Sequence, residues 1–207
     1  MHRRRTAATA AVAGVLLAVP GLAGCGNDGL TAGTAAVLDG RRIPVDAVAD
    51  RVAALRQAPG GASADAWQEA SRGADGPVRR AVADLVLDAV VARAVAERGP
   101  AVGPAEVAAA RAEEEQRYGG AERLARALAA RGVPGGAIDD YVRRRLGIRR
   151  LAAAAGLDAD SPAGDAAVRF ALASTATTLH LRVNPRYGTW DPDHATLTPT
   201  THPWLAG

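Results

Sequence analysis

Residues 77–100 read PVRRAVADLVLDAVVARAVAERGP, and the fold follows from how this stretch is read. Pro77 suits the first turn of a helix, where its missing N–H costs nothing. Val78, Val82, Leu85, Val86, Ala89 and Val90 then recur at intervals of three and four, which puts one apolar stripe on a helix, and Gly99-Pro100 stops the run. No other segment of the chain is as apolar at this period, so this helix is expected to be the central rod of a bundle.

The segments after it carry the same punctuation. Pro104 opens a third helix with Val107 and Ala110 inward and Glu113, Glu114 and Glu115 outward, ended by Gly119-Gly120. A short fourth helix over 121–131 uses Leu124 and Leu128. A fifth, over about 136–155, sets Ile138, Tyr141, Val142 and Leu146 on one face with arginines around it. A sixth is predicted over 164–173, using Val168, Phe170 and Leu172. The period then changes to two over 178–183, the pattern of a half-buried strand. Before the central helix, residues 35–38, Asp39-Gly40 and 41–45 predict a hairpin with a type I′ turn, because Asp-Gly supplies the two positive-φ residues. Pro44 keeps its second arm short or at an edge. Asp46 is placed to cap a first helix reaching about Gln57, with Val45, Val48, Val52 and Leu55 on its stripe. Residues 58–75 read as a loop or short broken helix around Trp67. A lone terminal strand needs a partner, so the first and last ordered segments are expected to pair. The expected fold is mostly α: a bundle of five to six helices over 35–191, with a minor β-element closing its two ends and a loose tail over 192–207.

Composition agrees with helices. Of 207 residues 51 are Ala and only 41 are Leu, Ile, Val or Phe, so the core must come from small side chains packed closely. All 25 basic residues are Arg, and the formal charge is +3. Removing 1–24 takes Arg3, Arg4 and Arg5 with it and leaves 22 basic against 22 acidic groups, too even a balance for a general nucleic-acid partner.

The N-terminus reads as an export address. A cationic start is followed by an uncharged apolar stretch over 6–22 and then by Leu22-Ala23-Gly24-Cys25, which resembles the bacterial lipobox. In that motif the Cys sulfur receives a diacylglyceryl group and the residue becomes the acylated N-terminus of the mature chain. Cys25 is the one Cys of the sequence and sits where this chemistry needs it. The simpler alternative is cleavage after a small residue, with Cys25 an incidental thiol. Each buried CH₂ contributes about 0.8 kcal/mol, so one acyl chain binds marginally and two or three hold firmly. Residues 1–24 are thus expected to be a lipoprotein signal, 25–34 a tether, and the outer face of the cytoplasmic membrane the destination. The arginine triplet permits twin-arginine export, but Thr6-Ala7-Ala8 after it matches that signal poorly, and the export route stays open. With Cys25 acylated, no thiol is left for a disulfide, a metal thiolate or a nucleophile.

Catalytic signals are thin. His180, His194 and His202 lack metal-ligand spacing, and no Gly-x-Ser-x-Gly, phosphate-binding loop or dinucleotide fingerprint occurs. Asp139 and Asp140 are adjacent, so on a helix they point about 100° apart and cannot share a proton. Arg143, Arg144, Arg145, Arg149 and Arg150 form the densest basic cluster. They read either as a solvated face balanced by residues 113–115, or as an electrostatic surface for anionic headgroups or an acidic partner.

The order of short phrases resembles a family. A strand over 36–43 with Asp39-Gly40, a helix opening at Asp46, Leu85-Val86-Leu87 followed by Ala94, Ala96 and Gly99, and Val102-Gly103-Pro104-Ala105-Glu106-Val107 are similar to the N-terminal chaperone domain of SurA- and PrsA-type exported foldases. Tyr141-Val142-Arg143 continues the series. Val183-Asn184-Pro185-Arg186-Tyr187-Gly188 resembles the closing segment of SurA-like actinobacterial lipoproteins. In such foldases a parvulin-type prolyl isomerase domain of roughly a hundred residues follows; about fifty residues remain here after Gly156, so no catalytic residue carries over and no enzyme activity is expected. What the resemblance implies is a lipid-anchored, non-catalytic protein that binds unfolded or extended segments of exported polypeptides. Val86, Val90, Tyr141 and Leu146 are candidate groove residues, although an apolar stripe serves equally as core. Neither a metal nor a cofactor is expected beyond the diacylglycerol and N-acyl lipid on Cys25, and neither nucleic acid nor a small-molecule substrate as partner. The alternative is an adaptor lipoprotein that docks one partner through the arginine-rich helix.

Overall fold

The computed structural model describes residues 30–58 and 76–200. The expected signal segment, Cys25, the start of the expected tether, the stretch around Trp67 and His202 lie outside the described residues.

Two strands open the fold, β1 (Thr34–Leu38) and β2 (Arg41–Pro44), joined by Asp39 and Gly40 at φ 48° and 75°. These are the two left-handed residues of the expected turn. Helix α1 (Val45–Arg56) starts one residue earlier than expected: Pro44 in extended conformation precedes it, and the Val45 N–H is already held by the Gly33 carbonyl at 2.8 Å. Asp46 therefore lies in the first turn, where its charge meets the helix dipole without capping. Then come α2 (Pro77–Ala96), α3 (Pro104–Tyr118), α4 (Ala121–Ala129), a 3₁₀ turn (Gly135–Ala137), α5 (Ile138–Ala154) and α6 (Pro162–Thr178). Gly119, at φ 78°, ends α3 with the paired bonds Gly120 N–H to Glu115 O at 2.7 Å and Gly119 N–H to Gln116 O at 3.1 Å, a Schellman stop.

The first described strand pairs with one far along the chain. β3 (Arg182–Val183) lies antiparallel to β1, with Ala36 opposite Val183 and Val37 opposite Arg182, giving a three-stranded sheet in the order β2-β1-β3. The expected strand over 178–183 is shorter than its pattern suggested, because α6 continues to Thr178 and His180 turns the chain at φ 48°. A second 3₁₀ turn (Pro185–Tyr187) leads to β4 (Thr189–Asp191), which pairs with β5 (Thr196–Thr198). Residues 192–198 are thus not a loose tail. Asp191 organises the turn by accepting from the Asp193 and His194 N–H groups at 2.9 and 3.2 Å, and Leu197 is buried.

Helix α2 is central as expected: it touches α1, α5, α6, β1, β5 and the second 3₁₀ turn. Val82, Val86, Val90 and Ala94 are fully enclosed in the larger core, with Ala35, Ala36, Val52, Val168 and Leu172 around them. A smaller core joins Val107, Leu124, Leu128, Ile138 and Val142. Phe170 departs from the expected stripe of α6, since Val168 and Leu172 face inward while Phe170 faces solvent. Close approach of α5 to α2 depends on Gly147, where a Cβ would stand 2.6 Å from Val91 Cγ1. Gly147→Val is therefore expected to destabilise the fold by about 1–3 kcal/mol, measured by urea unfolding with an unchanged m-value. A neutral effect would show that the two helices can separate freely.

Candidate functional site

Of the four candidate groove residues, Val86 and Val90 are 0 % exposed and belong to the larger core, whereas Tyr141 and Leu146 pack half-buried against the smaller one. The four do not line one cleft. Their spacing marks burial, and an apolar stripe at helical period has the same appearance whether it closes a core or floors a groove.

The arginine cluster is largely engaged within the molecule. Arg143 donates to Asp140 at 2.7 Å, Arg145 to Glu114 at 3.0 Å, and Arg150 to both carboxylate oxygens of Glu106 at 2.8 Å and to the Pro100 carbonyl. Arg149 stands beside Glu113 and Glu114 in a shallow depression. Arg144 is the most enclosed: only 11 % of its side chain is exposed, and its Nη1 lies 3.2 Å from Asp84 and 2.9 Å from Asp88 of α2. Arg51 of α1 reaches Asp88 and Asp140 at 3.8 and 3.6 Å. These groups form a polar seam between α1, α2 and α5, with three carboxylates set against Arg51, Arg143 and Arg144. Burial pushes the Asp88 carboxyl up to about 6, against the opposing pull of Arg144 and Arg51. Charges satisfied in this way make a poor docking surface, because a partner would have to displace existing pairs. Asp139 bonds to Arg111 and Asp140 to Arg143, so the adjacent carboxylates go to different partners.

The clearest concavity lies elsewhere, between the C-terminal half of α6, β3 and β4. It measures about 370 Å³, and Ala173, Ala176, Leu181, Val183, Pro185 and Trp190 are among its walls. Thr177 and Thr189 add hydroxyls, and His180 is the one titratable side chain in the lining. Four local features build it. Ser161 caps α6 by accepting from the Gly164 N–H at 3.0 Å, and the Thr177 and Thr178 hydroxyls bond back to the carbonyls four residues earlier, which carries the helix to the cleft. Asn184 donates to the Thr34 carbonyl at 3.2 Å and accepts from Arg186 N–H, which fixes the exit from β3. Tyr187 is buried in the larger core, and its carbonyl accepts from Arg79 Nε at 3.0 Å. Gly188, at φ 123°, brings β4 against β5, where a Cβ would stand 2.3 Å from the Thr198 carbonyl oxygen.

Beside the cleft, Phe170 is 77 % exposed one turn before Ala173 on α6, with Ala166 and Ala167 along the same face. A single exposed apolar residue is ordinary, but this one stands one turn from a wall of the cleft. A second depression of about 260 Å³ between α2 and β5 differs in kind, since Arg79, Arg80 and Asp84 line it. His194 sits at the β4–β5 turn with Nδ1 2.8 Å from Asp191 Oδ2. Among the described residues no group of three His, Cys, Asp or Glu is arranged to hold a metal ion, and no helix is long and apolar enough to cross a membrane.

Sequence reasoning missed Trp190 and the β4–β5 hairpin. The signal was the alternation Thr189-Trp190-Asp191 and Thr196-Leu197-Thr198 on either side of Pro192-Asp193. Comparison with protein-family models, with curated proteins and with solved structures finds no match for this chain.

Proposed function

We propose that this chain is an exported, lipid-anchored protein that holds unfolded or extended segments of other exported polypeptides, without a chemical step, and that it does so at the α6–β3–β4 cleft. The observation that carries this is the lining: Leu181, Val183, Pro185 and Trp190 with no Asp, Glu or Arg, next to an exposed Phe170. Weak, reversible holding of varied apolar segments needs modest apolar area, few charges in the groove and no deep, shape-selective pocket. The signal-like start, the lipobox-like Leu22-Ala23-Gly24-Cys25 and the ordered phrases similar to SurA- and PrsA-type chaperone domains support the same reading. The groove moves from Val86 and Val90, which are enclosed, to α6, β3 and β4.

The full acylated chain in detergent micelles should slow aggregation of two unrelated unfolded proteins, reduced insulin and heated luciferase. Phe170→Asp should weaken that protection while changing stability by less than about 0.5 kcal/mol, because the side chain is on the surface. No protection at stoichiometric excess, or undiminished protection by the variant, counts against the cleft. Recovery of one partner, lost when Arg143, Arg145 and Arg149 become Glu, would favour the adaptor instead. Cys25→Ser should release the protein from membranes; full retention without acylation removes the anchor from the proposal.

A further inference from the structure

Resting on the client-holding role just proposed, we infer that the segment bound in the cleft is taken up as an added β-strand along the free edge of β3, through the Val183 backbone, with an apolar side chain set against Trp190. The direction of the backbone groups follows from the register. Asn184 N–H donates to the Ala35 carbonyl at 2.9 Å, so the pair Ala36 and Val183 is the non-hydrogen-bonded one, and the pair Val37 and Arg182 exchanges both bonds. By the two-residue alternation of a strand, the Val183 N–H and C=O point away from β1. Among the described residues no group hydrogen-bonds to either of them.

The cleft is the space those groups meet. Val183 is one of its walls, together with residues of α6 and β4, and no residue of β1 or β2 lines it, which puts it on the side of β3 away from β1. The two edges of the sheet are also built differently. On the outer edge, β2 carries exposed Arg41, Arg42 and Pro44, the charges and proline that block pairing with another chain. On the inner edge, β3 presents Val183 to a hollow lined by no Asp, Glu or Arg. An apolar ligand lacking a backbone, such as an acyl chain, would leave the Val183 donor and acceptor unsatisfied on covering them; an extended polypeptide satisfies both and is tolerant of sequence, since the bonds are to main chain. The absence of Asp, Glu and Arg from the lining selects an apolar stretch, and Phe170 extends the contact along α6.

The test uses the full chain in micelles and a fluorescein-labelled nonapeptide of alternating Thr and Val with Phe at its centre. Its comparator is the same peptide N-methylated at the Phe and at the residue on either side of it, which keeps the side chains and removes the strand-pairing donors on both edges. The methylated peptide should bind about tenfold to a hundredfold more weakly, the effect of losing one or two hydrogen bonds with their acceptors left buried. Hydrogen exchange of the Val183 amide should slow when the unmethylated peptide is added. Val183→Pro, which deletes the outward N–H and spares the β1-facing groups of Arg182 and Asn184, should weaken binding by about tenfold. Because proline can disturb a strand, the peptide pair on the unaltered chain is the deciding arm. Equal binding of the two peptides overturns strand addition while leaving client holding intact. If neither peptide binds, strand addition is likewise overturned, and the aggregation measurement reports separately whether the holding function survives.

Discussion

Arg144→Met is expected to cost the folded state about 3–5 kcal/mol at neutral pH, a large share of the stability of any domain this size. The guanidinium is the nearest cation to both Asp84 and Asp88, whose side chains are only 20 and 21 % exposed. Removing it leaves two carboxylates on adjacent turns of α2 facing the α5 interface, with Arg51 the remaining cation, 3.8 Å from Asp88. The desolvation of those charges is then opposed only by the longer Arg51 contact, which costs more than the pair itself contributes. A pH series sharpens the test. The Asp88 carboxyl is raised from 3.8 to about 6 in the fold, so the folded state holds that proton more tightly than the unfolded chain. Its contribution is therefore present in full below about 3.8 and is lost as the pH rises through about 6. The penalty of Arg144→Met should accordingly shrink between pH 7 and pH 5, and Asp88→Asn should abolish that shrinkage. A loss below about 1 kcal/mol, as for an exposed pair, or one independent of pH, would show that water reaches the seam freely.

The second large effect belongs to Gly188. Its φ of 123° is open to glycine and strained for other residues, and the added Cβ would collide with the backbone oxygen of Thr198 at 2.3 Å, which no side-chain rotation relieves. Gly188→Ala should cost about 3 kcal/mol or more from strain and overlap together. The damage should be local, prising β4 from β5 and removing Trp190 from the cleft wall, so fast amide exchange at residues 189–198 should accompany lost protection of unfolded clients. Intact exchange protection in that hairpin would mean that the turn re-forms around a larger residue.

The helices were legible because their ends are marked. Pro77, Pro104 and Pro162 each occupy a first turn, Gly119 and Gly156 sit at left-handed stops, and Asp39-Gly40 makes the turn its composition requires. Legibility failed where tertiary contacts override local preference. Thr175, Thr177 and Thr178 look like strand residues, yet Thr175 donates to Glu97 across the core at 3.0 Å and the other two bond to their own helix. Likewise, nothing in the spacing of the arginines reveals that Arg144 meets a carboxylate 56 residues away, or Arg150 one 44 residues away. The cleft was illegible for a related reason: its walls come from a helix end, a two-residue strand and a hairpin, none long enough to leave a period in the sequence.

The bond from Asn184 to Thr34 spans 150 positions of the chain. β1, the middle strand of its sheet, therefore has one partner at once and must wait for the other until the helices between them have been made. Distant pairings of this kind slow the final step of acquiring structure, since the intervening loop must be ordered before the contact rewards it. During folding the molecule would thus pass through a stage in which β1 shows an open edge and the wall formed by β3 and β4 is still unbuilt. The α6–β3–β4 cleft would be completed late, together with the pairing of β1 and β3.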